Sequence, residues 1–479
     1  MIVKQFLHKK REPVVDIFSS LQDVSGLIWL HDIYQTIIGL LPNWQCIALS
    51  NQSPLMLERT LLLDRNGLSY QTHSTDLLFA DCVKQAWQKA TQHARVDNIT
   101  STTTEKIQPK GGFSGGLMGF VGYDYAASQH IDLKHQQHTQ APHAMLGNYD
   151  IFLKQVADGW ELYGPDLAEL QPTYNYIYAL LNAPKQTDAV NGFSVIAPFQ
   201  PVWNKTHYAH AFARIQHYLT QGDCYQVNLT QPFVARVKGS LQTAIEPLMQ
   251  LTKASYAGFV RYENFELLSC SPELFVAFEP HGKIITKPIK GTQPRHADPE
   301  QDARLKQQLM ASEKDRAENL MIVDLLRNDL SVYAQTGSVH VPTLFAVESF
   351  AQVHHLVSEI HATLLPDASP LDVLFNALPG GSITGAPKIR AMQIIDELEA
   401  APRGAYCGSL GYLNYDNTGQ FNILIRTLQK YGDCLSAWAG GGITIASKCE
   451  DEYQECLDKV GAILACVNEL GADCQAQDN

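Results

Sequence analysis

The order of patterned segments limits the architecture of this chain more than any single motif does. Beyond residue 205 the sequence reads as a helix, then strands, then two helices, then further strands. Thr206 stands where an N-cap belongs, ahead of a helical pattern that runs to about Gln221 and is stopped by Gly222. Phe265 to Cys270, Leu274 to Glu279 and Lys283 to Ile289 are rich in β-branched and aromatic residues, and Pro280-His281-Gly282 turns the last two into a hairpin. Asp298-Pro299-Glu300 supplies the N-cap, first-position proline and first-turn acid of one helix, and a second is expected from about Ser312 to Leu330. Runs of strands and runs of helices predict an α+β fold with largely antiparallel sheets.

Ahead of this region, short β-rich runs such as Leu61 to Tyr70 and Trp160 to Leu167 alternate with Gly-rich turns at Gly111-Gly112 and Gly115-Gly116. The nearest thing to a linker is Ala183 to Asn204, so residues 1–190 and 200–468 are expected as two regions. The 479 residues match about three domains or two large ones at roughly 150 residues each. Lys and Arg number 36 against 49 Asp and Glu, a net charge of −13 that leaves no diffuse basic field for nucleic acid. No run approaches the ~20 apolar residues of a bilayer span, so no membrane partner is expected. Met1 to Phe18 carries basic residues but no apolar core, and the ten Cys contain no C-x-x-C pair, so the expected setting is the cytoplasm with reduced thiols.

Two helices concentrate acids beside apolar stripes. At about 100° per residue, Asp315, Glu318, Ile322 and Leu325 share one face. Glu452, Glu455 and Lys459 lie in a narrow sector beside Val460, Ile463 and Val467. Either group alone reads as first-turn acids that favour the helix dipole. Together they offer four carboxylates from two helices, the hard oxygen set that Mg²⁺ takes alongside water and an anionic substrate.

In Lys287-Pro288-Ile289-Lys290-Gly291-Thr292 the proline removes a ladder donor and the glycine lets a ligand approach the backbone. Lys290 beside that opening reads either as a solvated edge residue or as a nucleophile, and spacing does not decide between them. Pro379 to Lys388, leading into a helix, and Ala439 to Thr444, after a strand, are Gly-rich. Each reads as a tight turn or as exposed N–H groups open to an anion; neither contains a nucleotide P-loop pattern.

Taken jointly, these residues resemble the chorismate-utilising enzymes, a family that includes anthranilate, isochorismate, salicylate and aminodeoxychorismate synthases. The resemblance is dense from Tyr208 to about Leu464. It rests on Gly222-Asp223-Cys224-Tyr225-Gln226-Val227-Asn228-Leu229, Ser271-Pro272-Glu273, the helix from Ala317 to Asp329, His355-Leu356-Val357-Ser358, Gly381 to Met392, Arg403 to Gly408, Ile425-Arg426-Thr427 and Glu452-Tyr453-Gln454-Glu455, all in the family's order. Gly115 to Asp124 matches more loosely. The resemblance implies two largely antiparallel sheets packed as a sandwich with helices outside.

Within the family, PIKGT with Lys290 resembles the aminodeoxychorismate-forming branch, whereas anthranilate synthases carry PIAGT. That branch implies amination of chorismate through a covalent lysine intermediate, on the route to 4-aminobenzoate and folate. Lys290 would be the nucleophile, Glu273 the acid for the departing hydroxyl, and His355 its helper. Glu318 and Glu455 match direct Mg²⁺ ligands, with Asp315 and Glu452 acting through water. Arg426, placed on a strand, and Lys459 match carboxylate-binding positions. Gly291, Thr292, Ser382, Tyr406, Gly440, Gly441 and Gly442 match substrate-lining ones.

No Cys here stands in the G-x-C-x-G setting of a fused glutaminase, so a separate glutamine amidotransferase subunit is expected to supply ammonia. Some family members bind tryptophan in the N-terminal region, but Asn51-Gln52-Ser53-Pro54 is too slight a match to assign it. The rival readings are anthranilate or isochorismate synthase activity on the same substrate, and a catalytically silent chorismate-binding relative.

Overall fold

The computed structural model describes residues 2–6, 13–22, 24, 26–49, 53–64, 67–100, 112–135, 141–157, 159–183, 192–350 and 353–476. Two twelve-stranded sheets dominate, and every strand pairing among the described residues is antiparallel. The first sheet runs Ile2–Phe6, Gly159–Gly164, Ile151–Val156, Thr36–Leu40, Ile28–Asp32, Tyr256–Tyr262, Phe265–Ser271, Thr427–Tyr431, Cys434–Ile443, Gln226–Lys238 and Ser194–Pro201, with Gly385–Ala386 paired to Gln226–Lys238. The second runs Ile289–Pro294, Val353–Thr363, Lys283–Lys287, Leu274–Glu279, Gly419–Asn422, Ser409–Asn414, Gly116–Val121, Ala144–Tyr149, Trp44–Ala48, Leu55–Asp64 and Gly67–Ser74, with His340–Ser349 on Val353–Thr363.

Strand alternation explains the layering. In Gly116–Val121, Met118 and Phe120 point into an apolar layer shared with Val260, Phe265 and Leu267 of the other sheet, while Leu117 and Val121 join a second cluster with outer helices. Phe120 stacks on Phe265 with ring centroids 5.8 Å apart, closing the gap between the sheets. Ala257 and Phe259 face the opposite way, into a third cluster with helices that include Cys449–Ala476. The result is a sheet sandwich with helices on both outer faces.

Most local signals act as the sequence suggests. Asp298 accepts from the Glu300 N–H and caps Pro299–Ala311, and Ser312 caps Glu313–Ser331 through the Asp315 N–H. Gly222 ends Lys205–Gln221 with φ +81°. The N-cap of that helix is Asn204 rather than Thr206, because its carboxamide reaches the His207 N–H at 2.9 Å. The run Leu61 to Tyr70 spans two strands, Leu55–Asp64 and Gly67–Ser74, not one; residues 65 and 66 lie outside the described residues, as does Gly111. Residues 184–191 of the expected linker also lie outside them, and strands from either side of that segment share both sheets.

A buried ion pair joins these parts. Arg403, 1% exposed, donates to both Glu399 oxygens at 2.8 and 2.6 Å and to the carbonyls of Ile383 and Asn228. Glu399 in turn accepts from the N–H and hydroxyl of Thr230, and Asp124, from the N-terminal part, accepts the N–H groups of Arg403 and Gly404. Nine cysteines among the described residues are free thiols, six of them buried. No described helix is long and apolar enough to cross a membrane.

Removing one member of a buried pair strands the other charge. Arg403→Met should cost about 3–5 kcal/mol in urea unfolding, and adding Glu399→Gln should restore part of it. Additive losses in the double variant would show that the two groups act independently.

Candidate active site

Two places where the chain passes between sheets build the floor of the site. Pro272-Glu273 is the step from Phe265–Ser271 in one sheet to Leu274–Glu279 in the other. Residues 423–426 make the reverse crossing, from Gly419–Asn422 to Thr427–Tyr431. The crossings hold each other: the Ile423 N–H donates to the Glu273 carbonyl at 3.0 Å, and the Cys270 N–H to the Arg426 carbonyl at 3.1 Å. Arg426 therefore sits not on a strand but on the bend before one, at φ +52°, which turns its side chain out of the ladder.

Lys290 is aimed by a β-bulge. Ile289 pairs with Val357, but His355 pairs with Thr292, so the strand carries one more residue than its partner. Gly291 takes the left-handed conformation, φ +79°, that such a bulge needs, and a Cβ there would lie 2.8 Å from Asp315 Cγ. The glycine is thus required by the bulge and by the acidic helix pressed against it.

The Gly440 to Gly442 run is neither a turn nor a set of exposed N–H groups. It lies inside Cys434–Ile443, paired residue by residue with Asn228 to Thr230. Its use is bareness: a Cβ on Gly441 would sit 3.2 Å from Glu452 Oε2, 3.5 Å from Lys459 Nζ and 3.7 Å from Glu455 Oε1.

The structure brings every residue given a catalytic, substrate-binding or metal role from the sequence to one cavity of about 710 Å³. Lys290, Glu273, His355, Gly291, Thr292, Ser382, Tyr406, Arg426, Gly440, Gly441, Gly442 and Lys459 line it together with Asp315, Glu318, Glu452 and Glu455. Asn228, Trp438 and Lys314 line it too and were not anticipated. Trp438 stacks on Tyr406, centroids 6.1 Å apart and planes 17° from parallel, making a flat wall suited to a ring. Lys314 had a signal in sequence: it stands one turn before Glu318 on the same helix. Asn51 and Gln52 lie outside the described residues.

Electrostatics divide the acids by role. Burial pushes the Glu273 carboxyl up to about 7, against the pull of Lys290, a 3.4 Å hydrogen bond from Ser382 Oγ, and Lys459. Burial lowers the Lys290 amine below its ordinary value; Glu318, Glu273 and Glu455 oppose that shift and Lys459 adds to it. Burial, with Arg426 adding, drives His355 down to about 4, so its ring is neutral near pH 7 and shares a 2.9 Å hydrogen bond with the Thr292 hydroxyl. Burial also raises Glu318, with Glu452 and Asp315 adding like charge while Lys290 and Lys314 resist. For Glu455 burial is outweighed by Lys459, 2.7 Å away, and the net shift is downward.

The four acids of the two helices face the same space, and their oxygen donors suit a hard divalent cation. As they stand, no three His, Cys, Asp or Glu side chains among the described residues converge closely enough to hold a metal. Ammonium groups stand among the acids instead: Lys314 lies 3.9 Å from Glu318 Oε1 and 3.7 Å from Glu452 Oε1. The Glu452 and Glu455 oxygens look onto bare Gly441, and with Glu318 and Asp315 across from them the donor set is all carboxylate, the type a hard cation takes.

Comparison with known proteins adds to this geometry. The profile of the family described as chorismate binding enzyme matches residues 59–465. Aminodeoxychorismate synthase component 1 of Klebsiella aerogenes is 43% identical over 355 residues, covering 74% of this chain and 77% of that protein. The protein of the same name from Escherichia coli K12 is 42% identical over 363 residues, with the same coverage. Among solved structures, anthranilate synthase component I from Streptococcus pneumoniae TIGR4 superposes with a TM-score of 0.73 at 26% identity, covering 90% of this chain and 92% of its own.

The raised Glu273 value has a sign that stability can read. A carboxyl raised on folding favours the folded state while protonated, and that contribution is lost as pH rises from 4.5 through about 7. Glu273→Gln should therefore gain stability over the parent between about pH 5 and about pH 8, by at most about 3 kcal/mol. A pH-independent difference in melting temperature would contradict the buried, raised carboxyl.

Proposed function

This chain belongs to the chorismate binding enzyme family, and on that footing we propose that it converts chorismate and ammonia to 4-amino-4-deoxychorismate. The observation that carries the reading is the bulge that puts the Lys290 amine into the same cavity as the protonatable Glu273.

The Lys290 amine attacks C2 of the substrate ring, the two ring double bonds shift, and the C4–O bond breaks. Glu273 gives its proton to the departing hydroxyl, which leaves as water. A carboxyl raised to about 7 keeps its proton on about half of the molecules at neutral pH, and a desolvated amine has a larger neutral fraction than an exposed one. Ammonia then attacks C4, the double bonds shift back, the C2–N bond breaks, and the lysine leaves with a proton. His355 serves as a neutral hydrogen-bonding partner through Thr292, not as an imidazolium. Arg426 offers a fork for a substrate carboxylate, and Lys459 a second positive charge, while Tyr406 and Trp438 wall the ring.

Glu318 and Glu455 would hold a Mg²⁺ ion, with Asp315 and Glu452 acting through water. When bound, the ion supplies positive charge against the substrate's ring carboxylate. Ammonia comes from a separate glutamine amidotransferase subunit, a reading supported by the name component 1 that the Klebsiella aerogenes and Escherichia coli relatives carry. The free thiols support a reducing compartment, the cytoplasm.

Incubation with chorismate, ammonium and Mg²⁺ should give aminodeoxychorismate by mass analysis, and Lys290→Ala should abolish it. Glu273→Gln should slow the reaction by roughly 10²–10⁴-fold. Anthranilate with pyruvate as product, or undiminished turnover by Lys290→Ala, would overturn this reading.

A further inference from the structure

The cavity carries more acid than base. Lys290, Lys314, Lys459 and Arg426 face Glu273, Asp315, Glu318, Glu452, Glu455 and Asp458 along its walls. Two of the three lysines have fixed employment. Lys290 is set in the bulge, and Lys459 is held by the Gly440 carbonyl at 2.9 Å and Glu455 at 2.7 Å.

Lys314 is placed differently. Its ammonium stands between the two acidic helices, 3.9 Å from Glu318 Oε1 and 3.7 Å from Glu452 Oε1, at the long end of ion-pair contact. The side chain is 56% exposed and makes neither contact at hydrogen-bond distance. Glu452, by contrast, is almost fully buried, takes a 2.7 Å hydrogen bond from Ser447, and depends on a nearby cation to offset its burial. Partial burial lowers the Lys314 amine, but Glu452, Glu318, Glu455 and Asp315 outweigh it and hold the group charged. A single exposed charge thus spans carboxylates of two helices that repel one another.

We propose that Lys314 is a positioning residue for the cation site: its ammonium bridges Glu318 and Glu452 until a divalent cation displaces it into solvent. This rests on the reading that those helices hold Mg²⁺. A long, exposed, loosely paired ammonium is the group that can leave at little cost, because such contacts are worth only about 0–1 kcal/mol. While it stays, it competes with the incoming cation for the same oxygens. While it is present without cation, it keeps Glu318 and Glu452 from forcing the two helices apart.

The test titrates Mg²⁺ alone, without chorismate, into the full chain by calorimetry and follows melting temperature in parallel. Lys314→Met should bind Mg²⁺ about 3–10-fold more tightly than the parent, as expected for loss of a competing charge at such distances. It should also melt lower without Mg²⁺ and show the larger rise in melting temperature with it, while Lys314→Arg stays close to the parent on both measures. Equal or weaker Mg²⁺ binding by Lys314→Met would overturn the role given to Lys314 and leave the cation site standing. No Mg²⁺ binding by either protein would overturn the cation site itself, and this inference with it.

Discussion

An amine withheld from water, among carboxylates that outnumber the cations facing them, is the constraint on which the site depends. Burial alone would discharge Lys290, and the surrounding Glu318, Glu273 and Glu455 pull the other way. The balance leaves an amine that is easier to deprotonate than an exposed lysine yet still anchored by charge. Glu273 lives under the mirror condition, a carboxyl kept protonated to about 7 by the same desolvation. One low-dielectric pocket thus holds both an amine that is easier to deprotonate and a carboxyl that is harder to ionise, the pair that the proposed reaction calls for.

That pocket exists because the chain crosses twice between two sheets. A single continuous sheet would direct Glu273 and Arg426 to alternating faces of a ladder. The two crossings take both out of the ladder and are held together by backbone hydrogen bonds from the Ile423 N–H to the Glu273 carbonyl at 3.0 Å and from the Cys270 N–H to the Arg426 carbonyl at 3.1 Å. The Arg403–Glu399 pair lies behind this region and ties it to the Gln226–Lys238 strand and to Asp124. Buried charge of this kind contributes little net stability, but it penalises any arrangement that separates its partners.

Much of this was legible in the sequence wherever the signal is local. Capping by Asp298, the start of the next helix near Ser312, the stop at Gly222 and the hairpin at Pro280 to Gly282 depend on neighbours a few residues away. The acidic faces of the Glu313–Ser331 and Cys449–Ala476 helices follow from periodicity. Features set by distant partners were not legible. The bulge at Lys290 is defined by Val353–Thr363, more than sixty residues on, and the Gly440 to Gly442 run is strand only because Gln226–Lys238 pairs with it. Lys314 escaped because its second partner, Glu452, is on another helix. Asn204 was passed over because Thr206 offers an equally good capping side chain, and only the chain's path chooses between them.

The most direct test asks whether the Lys290 nitrogen becomes bonded to the substrate ring. The protein would be mixed with chorismate and Mg²⁺ in the absence of ammonia, quenched, digested and analysed by mass spectrometry. The peptide containing Lys290 should gain the mass of chorismate less one water, and added ammonium should discharge it. Persistent lack of that adduct on Lys290 in a preparation that aminates chorismate at full rate would contradict it.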